Sequence, residues 1–144
     1  QETPIVDSIL DTGKTTTPEL FRSQYGQNAL VVEKRNNLAE GQYYVSMLNN
    51  NAGRGVSGQR NNSYYYKYLV DETAGTYVLL EKERLPRSEK GGNVTPYEKS
   101  FLYCRSGNHI FEEIDKEGRQ IRSFHIKGAL YRVYKNDWKG FWFY

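Results

Sequence analysis

The segment Tyr64-Tyr65-Tyr66-Lys67-Tyr68-Leu69-Val70 leaves the backbone little choice. Aromatic and β-branched side chains lose rotamer freedom against the preceding turn of a helix, yet they fit a pleated strand well. An extended strand puts Tyr64, Tyr66, Tyr68 and Val70 on one face and Tyr65, Lys67 and Leu69 on the other. A second run, Gln42-Tyr43-Tyr44-Val45, repeats the theme, and the 144-residue chain holds 13 tyrosines. A tyrosine ring has an apolar body and a polar tip. Such strands suit half-buried sheets, and they equally suit surfaces that hold a ligand or a protein partner.

Strand signals dominate the rest of the chain. Residues 29–35 and 42–49 read as two short strands, followed by a polar, Asn- and Gly-rich loop over 49–62. Residues 64–70 and 76–85 form an expected hairpin across Asp71-Glu72-Thr73-Ala74-Gly75. Residues 87–96 read as a loop and 98–105 as a strand. A further hairpin turns at Asp115-Lys116-Glu117-Gly118. A four-residue connection from Lys116 to Arg119 sets Ile114 opposite Ile121, Glu113 opposite Arg122 and Phe111 opposite Phe124. Gly128 marks an expected bulge before a strand over 129–135, and residues 141–144 close the chain as a last strand.

One helix signal precedes the strands. Thr16 or Thr17 can cap, Pro18 takes the first turn and Gly26 can stop about two turns carrying Leu20, Phe21 and Tyr25. The predicted fold is therefore all-β: an antiparallel meander closed into a small barrel or strongly curled sheet, with one short N-terminal helix. Residues 1–16 form an extended lead-in, and 17–144 a single β-rich domain.

Charge excludes some functions. Twenty basic and 17 acidic residues leave a net charge of +3, too weak a field to favour nucleic acid. The loop around Arg54 and Arg60 carries too few cations to change that. No apolar stretch approaches the roughly 20 residues of a membrane-spanning helix. Cys104 is the only cysteine, so no disulfide can form within the chain. The chain starts at Gln1 without a basic or apolar leader, which reads as a mature protein whose signal peptide has been removed. The expected location is secreted or periplasmic.

Catalytic motifs fail one by one. Asp11-Thr12-Gly13 resembles the catalytic tripeptide of aspartic proteases, but Lys14 follows where that family has a small residue, and no second such tripeptide supplies the paired carboxylate. Gly13-Lys14-Thr15 resembles the tail of a phosphate-binding loop, yet Ser8 stands where that loop needs glycine. In the hairpin register above, His125 faces Ile110 and His109 faces Ile126, which puts the two imidazoles on opposite sheet faces. Glu81, Glu83, Glu112 and Glu113 lie beside lysine or arginine in the pattern of solvated strands. No catalytic residue, metal ligand or cofactor is assigned.

The leading expectation is a non-catalytic binding domain. Tyr43, Tyr64, Tyr66, Tyr68, Trp138 and Trp142 would line a pocket or face for a small apolar or sugar-like ligand, and Arg54 and Arg60 would meet its polar groups. The alternative is an inhibitor or immunity-type domain that binds a protein through an exposed aromatic sheet face. A carboxylate-dependent hydrolase ranks last.

Overall fold

A computed structural model describes residues 3–4, 26–51 and 62–136 of the chain. Nine strands appear among them: β1 (Thr3–Pro4), β2 (Gln27–Glu33), β3 (Gln42–Asn49), β4 (Asn62–Asp71), β5 (Thr76–Pro86), β6 (Asn93–Pro96), β7 (Ser100–Arg105), β8 (Ile110–Asp115) and β9 (Gln120–His125). They form two antiparallel sheets. The first has the order β1-β5-β4-β3-β2, with β1 only a two-residue flank, and the second has the order β6-β7-β8-β9. The expected all-β antiparallel meander is present. No ladder joins the two sheets into a barrel among the described residues, because the chain leaves the first sheet after Pro86 and opens a new one at Asn93.

Turn chemistry explains two of the hairpins. Between β4 and β5, the Ala74 amide donates to Asp71 Oδ1 at 2.8 Å, and Gly75 supplies a positive φ of 64°. Between β8 and β9, Asp115 Oδ1 accepts from the amides of Glu117 (3.0 Å) and Arg119 (2.8 Å). The register there matches the sequence at Phe111–Phe124 and Glu113–Arg122, and the two phenyl rings stack at 4.7 Å. It departs from it at Ile114, which pairs Gln120 because a bulge follows Glu113 and pushes Ile121 out.

Two further expectations are corrected. Residues 93–96, read as loop, form β6 against β7. Residues 129–135, read as a strand, have no ladder and run as a strap over the second sheet. The strap is held by side chains: Ser106 Oγ donates to the Leu130 carbonyl (2.6 Å), and Asn93 both donates to and accepts from the Val133 backbone (2.8 and 2.9 Å). An asparagine amide thereby stands in for the neighbouring strand. The expected N-terminal helix, most of the 49–62 loop and the closing 141–144 strand lie outside the described residues.

The core sits where one end of the first sheet meets the second. Leu48, Tyr65 and Leu85 come from β3, β4 and β5, and Val94, Phe101, Tyr103 and Ile114 from β6, β7 and β8. The Tyr65 and Phe101 rings tilt against one another at 5.3 Å. Tyr103 is fully buried and its hydroxyl donates to the Pro86 carbonyl at 2.9 Å, which ties the end of the first sheet to the second. Burial drives the ionisation of both phenols up to about 12.

Candidate ligand platform on the tyrosine face

The alternation of β4 divides its tyrosines between two environments. Tyr65 enters the core, whereas Tyr64, Tyr66 and Tyr68 stay half-buried on the opposite face. On that face the β3 partners are Asn49, Met47 and Val45, and the β5 partners are Arg84, Lys82 and Leu79. The rings form a row. Tyr64 and Tyr66 are 6.0 Å apart and tilted, and Tyr66 and Tyr68 are 6.0 Å apart and nearly parallel at 4°. Tyr77 of β5 continues the row, edge-on to Tyr68 at 5.7 Å. Lys82 Nζ hangs over the first two rings, 5.1 Å from the Tyr64 centroid and 5.7 Å from that of Tyr66. The result is a row of aromatic rings at mixed tilts with a cation at one end.

Among the described residues, two depressions lie away from Tyr64, Tyr66, Tyr68 and Tyr77. One depression of about 380 Å³ lies between residues 83–86 at the end of β5, Asn62, and the turn at residues 116–118. Another, of about 250 Å³, lies at the far end of the first sheet among Lys34, Arg35, Gln42, Tyr43 and Glu72. Tyr43 belongs there: its hydroxyl donates to Glu72 Oε1 at 2.9 Å, and this hydrogen bond raises its ionisation above that of a free phenol. Of the expected site residues, the structure brings Tyr64, Tyr66 and Tyr68 together in the ring row and places Tyr43 on the same face, opposite Val70, with its hydroxyl turned to Glu72. Arg54, Arg60, Trp138 and Trp142 lie outside the described residues. Sequence reasoning missed Tyr77, Met47 and Lys82, which the hairpin register carries onto the same face.

The acidic residues do not converge. Glu81 pairs with Lys67 at 3.4 Å. Glu113 accepts from Arg122 (2.7 Å) and Ser100 (2.9 Å) on the outer face of the second sheet. Its neighbour Glu112 points the opposite way and is buried, with Arg105 Nη1 3.6 Å from Oε1 and no hydrogen bond to that oxygen. Among the described residues no group of three His, Cys, Asp or Glu side chains could hold a metal ion. No helix there is long and apolar enough to cross a membrane.

Glu112 gives a pH signature. Burial raises its carboxyl above the ordinary 4.5, and the Arg105 charge only partly opposes this. A raised folded value means that its stabilising contribution is complete below 4.5 and fades as pH climbs through the folded value. Glu33, Asp71, Glu113 and Asp115 are shifted down and act oppositely, losing their contribution in acid. Glu112→Gln should therefore gain stability relative to the unsubstituted protein as pH rises from about 4 to about 8. Urea denaturation across that range measures the difference, and a flat or falling difference would contradict the burial argument.

Comparison with family models, with curated proteins and with solved structures finds no match for this chain.

Proposed function

We propose that this is a non-catalytic binding domain, secreted or periplasmic, whose ligand surface is the row Tyr64–Tyr66–Tyr68–Tyr77. The observation that carries the reading is the half-exposed stack of rings at 6.0 Å steps under the Lys82 ammonium. Aromatic faces attract the apolar C–H face of a sugar ring or a small planar apolar molecule, and a nearby cation adds a polar anchor. A sheet face, not a pocket, suits an elongated ligand that touches several rings in succession. Arg54, Arg60, Trp138 and Trp142 belong to the same proposal as further polar and aromatic contributors.

The test is a titration with neutral oligosaccharides and aryl glycosides, followed through the tyrosine ring protons by NMR. Ring signals of Tyr64, Tyr66 and Tyr68 should shift together. Tyr66→Ala, which removes the middle ring, should weaken binding up to about tenfold while the fold persists. Shifts confined to other rings, or binding unchanged in Tyr66→Ala, would sink the platform.

A second reading, a protein-binding inhibitor or immunity-type domain, draws on exposed apolar side chains elsewhere. Ile121 and Phe124 of β9 and Tyr131 and Tyr134 of the strap all face solvent. Loss of a pulled-down protein partner on Phe124→Ser with an intact Tyr66 would favour it.

A further inference from the structure

The longest of the described strands, β5, has one side along which the described residues place little partner strand. β5 spans 11 residues, and among the described residues only Thr76 and Tyr77 are paired on the side away from β4, with Pro4 and Thr3 of β1. Among the described residues, no strand follows on that side along residues 78–86. An edge strand there presents alternate backbone N–H and C=O groups to any extended chain that arrives. β1 shows that this side accepts an antiparallel strand.

The side chains along the edge state what the incoming strand must carry. Lys82 and Arg84 share the tyrosine face, opposite Tyr66 and Tyr64, and both are exposed. Glu81 and Glu83 share the other face, opposite Lys67 and Tyr65. Leu79 and Leu80 precede them, 45% and 46% exposed, at the bulge after Lys67. At the end of the strand, Glu83 and Arg84 also line the depression of about 380 Å³ that reaches the turn at 116–118. Cross-strand neighbours on one face prefer opposite charge.

We propose that β5 is a docking edge for an extended peptide of another protein. That peptide alternates acidic and basic side chains, acidic beside Lys82 and Arg84 and basic beside Glu81 and Glu83. A second copy of this chain does not meet the requirement. Antiparallel pairing of β5 with its own two-fold mate keeps each side chain on its face, so registers centred on residues 81 to 84 set Glu against Glu or cation against cation. The edge shares Lys82 with the ring stack, but pairing along the β5 backbone beside Arg84, Glu81 and Glu83 needs no sugar ligand.

The test uses two labelled nine-residue peptides of identical composition, one with lysine and glutamate alternating and one with them in blocks. Fluorescence anisotropy should show the alternating peptide binding about tenfold more tightly or better. Amide exchange along residues 78–86 should slow when it binds. The charge reversal K82E with R84E should cost the alternating peptide that preference and favour a peptide carrying lysine at every charged position. Should the double variant fail to fold by circular dichroism, R84E alone should give the same change at smaller size. Equal binding of the two peptides, or indifference to the reversal, overturns the proposal. So does protection of residues 78–86 by self-association at high protein concentration, which would put a second copy on the edge.

Discussion

Tyr65→Ala should destabilise the protein by about 3–5 kcal/mol, whereas Tyr66→Ala, one residue along, should cost no more than about 1.5 kcal/mol. The two side chains are chemically identical and differ only in face. Tyr65 is 1% exposed, lies opposite Leu48 in the ladder and meets Phe101 of the second sheet at 5.3 Å. Removing its ring opens a void where the two sheets join, and neighbours on two rigid sheets collapse poorly into it. Tyr66 touches rings on a half-exposed face, where water can take the vacated space. Single domains are stable by only about 5–15 kcal/mol, so the first variant loses a large share of the total. Urea denaturation with an unchanged slope measures both. Similar midpoints would mean that the junction is not the core of the fold.

Gly92→Ala is the second large effect, at about 2–4 kcal/mol. Gly92 has φ of 90°, in the left-handed region that favours glycine. A Cβ there would stand 2.1 Å from the Cys104 carbonyl oxygen and 3.5 Å from Leu48 Cδ2. The backbone cannot retreat, because the β6–β7 ladder begins at the next residue with Asn93 opposite Cys104. Gly118 provides the control. Its φ of 84° is nearly the same, yet a Cβ there meets nothing within 4 Å. Gly118→Ala should thus cost only the conformational penalty, about 1–2 kcal/mol. Thermal or urea unfolding of the pair separates backbone strain from steric exclusion, and equal losses would refute the clash at Gly92.

Legibility in the sequence followed contact distance along the chain. The β8–β9 register could be read from Glu113–Arg122 and Phe111–Phe124, because those partners sit a few residues either side of one turn. The β4–β5 hairpin was legible for the same reason. The strap over residues 129–135 was not. Its alternation resembles a strand, but its hydrogen bonds go to Asn93 and Ser106, up to 40 positions away, and no local pattern announces a side chain acting as a neighbouring strand. The platform was half legible. The alternation in β4 pointed to Tyr64, Tyr66 and Tyr68 as one face, while Tyr77 and Lys82 joined it only through the β4–β5 register.

The sequence by itself determined that residues 64–70 extend and that their side chains alternate, because aromatic and β-branched residues in succession fit a pleat and disfavour a helix. Tertiary structure alone decided which face became core. Both faces of β4 carry tyrosine, so hydrophobic pattern could not choose between them. The choice came from the chain turning away after Pro86 and laying Val94, Phe101, Tyr103 and Ile114 against Tyr65 rather than Tyr66. The same long-range packing buried Glu112 and left Glu113 outside. Among the described residues it also left residues 78–86 of β5 without a strand on the side away from β4, a property of sheet order that no stretch of sequence displays.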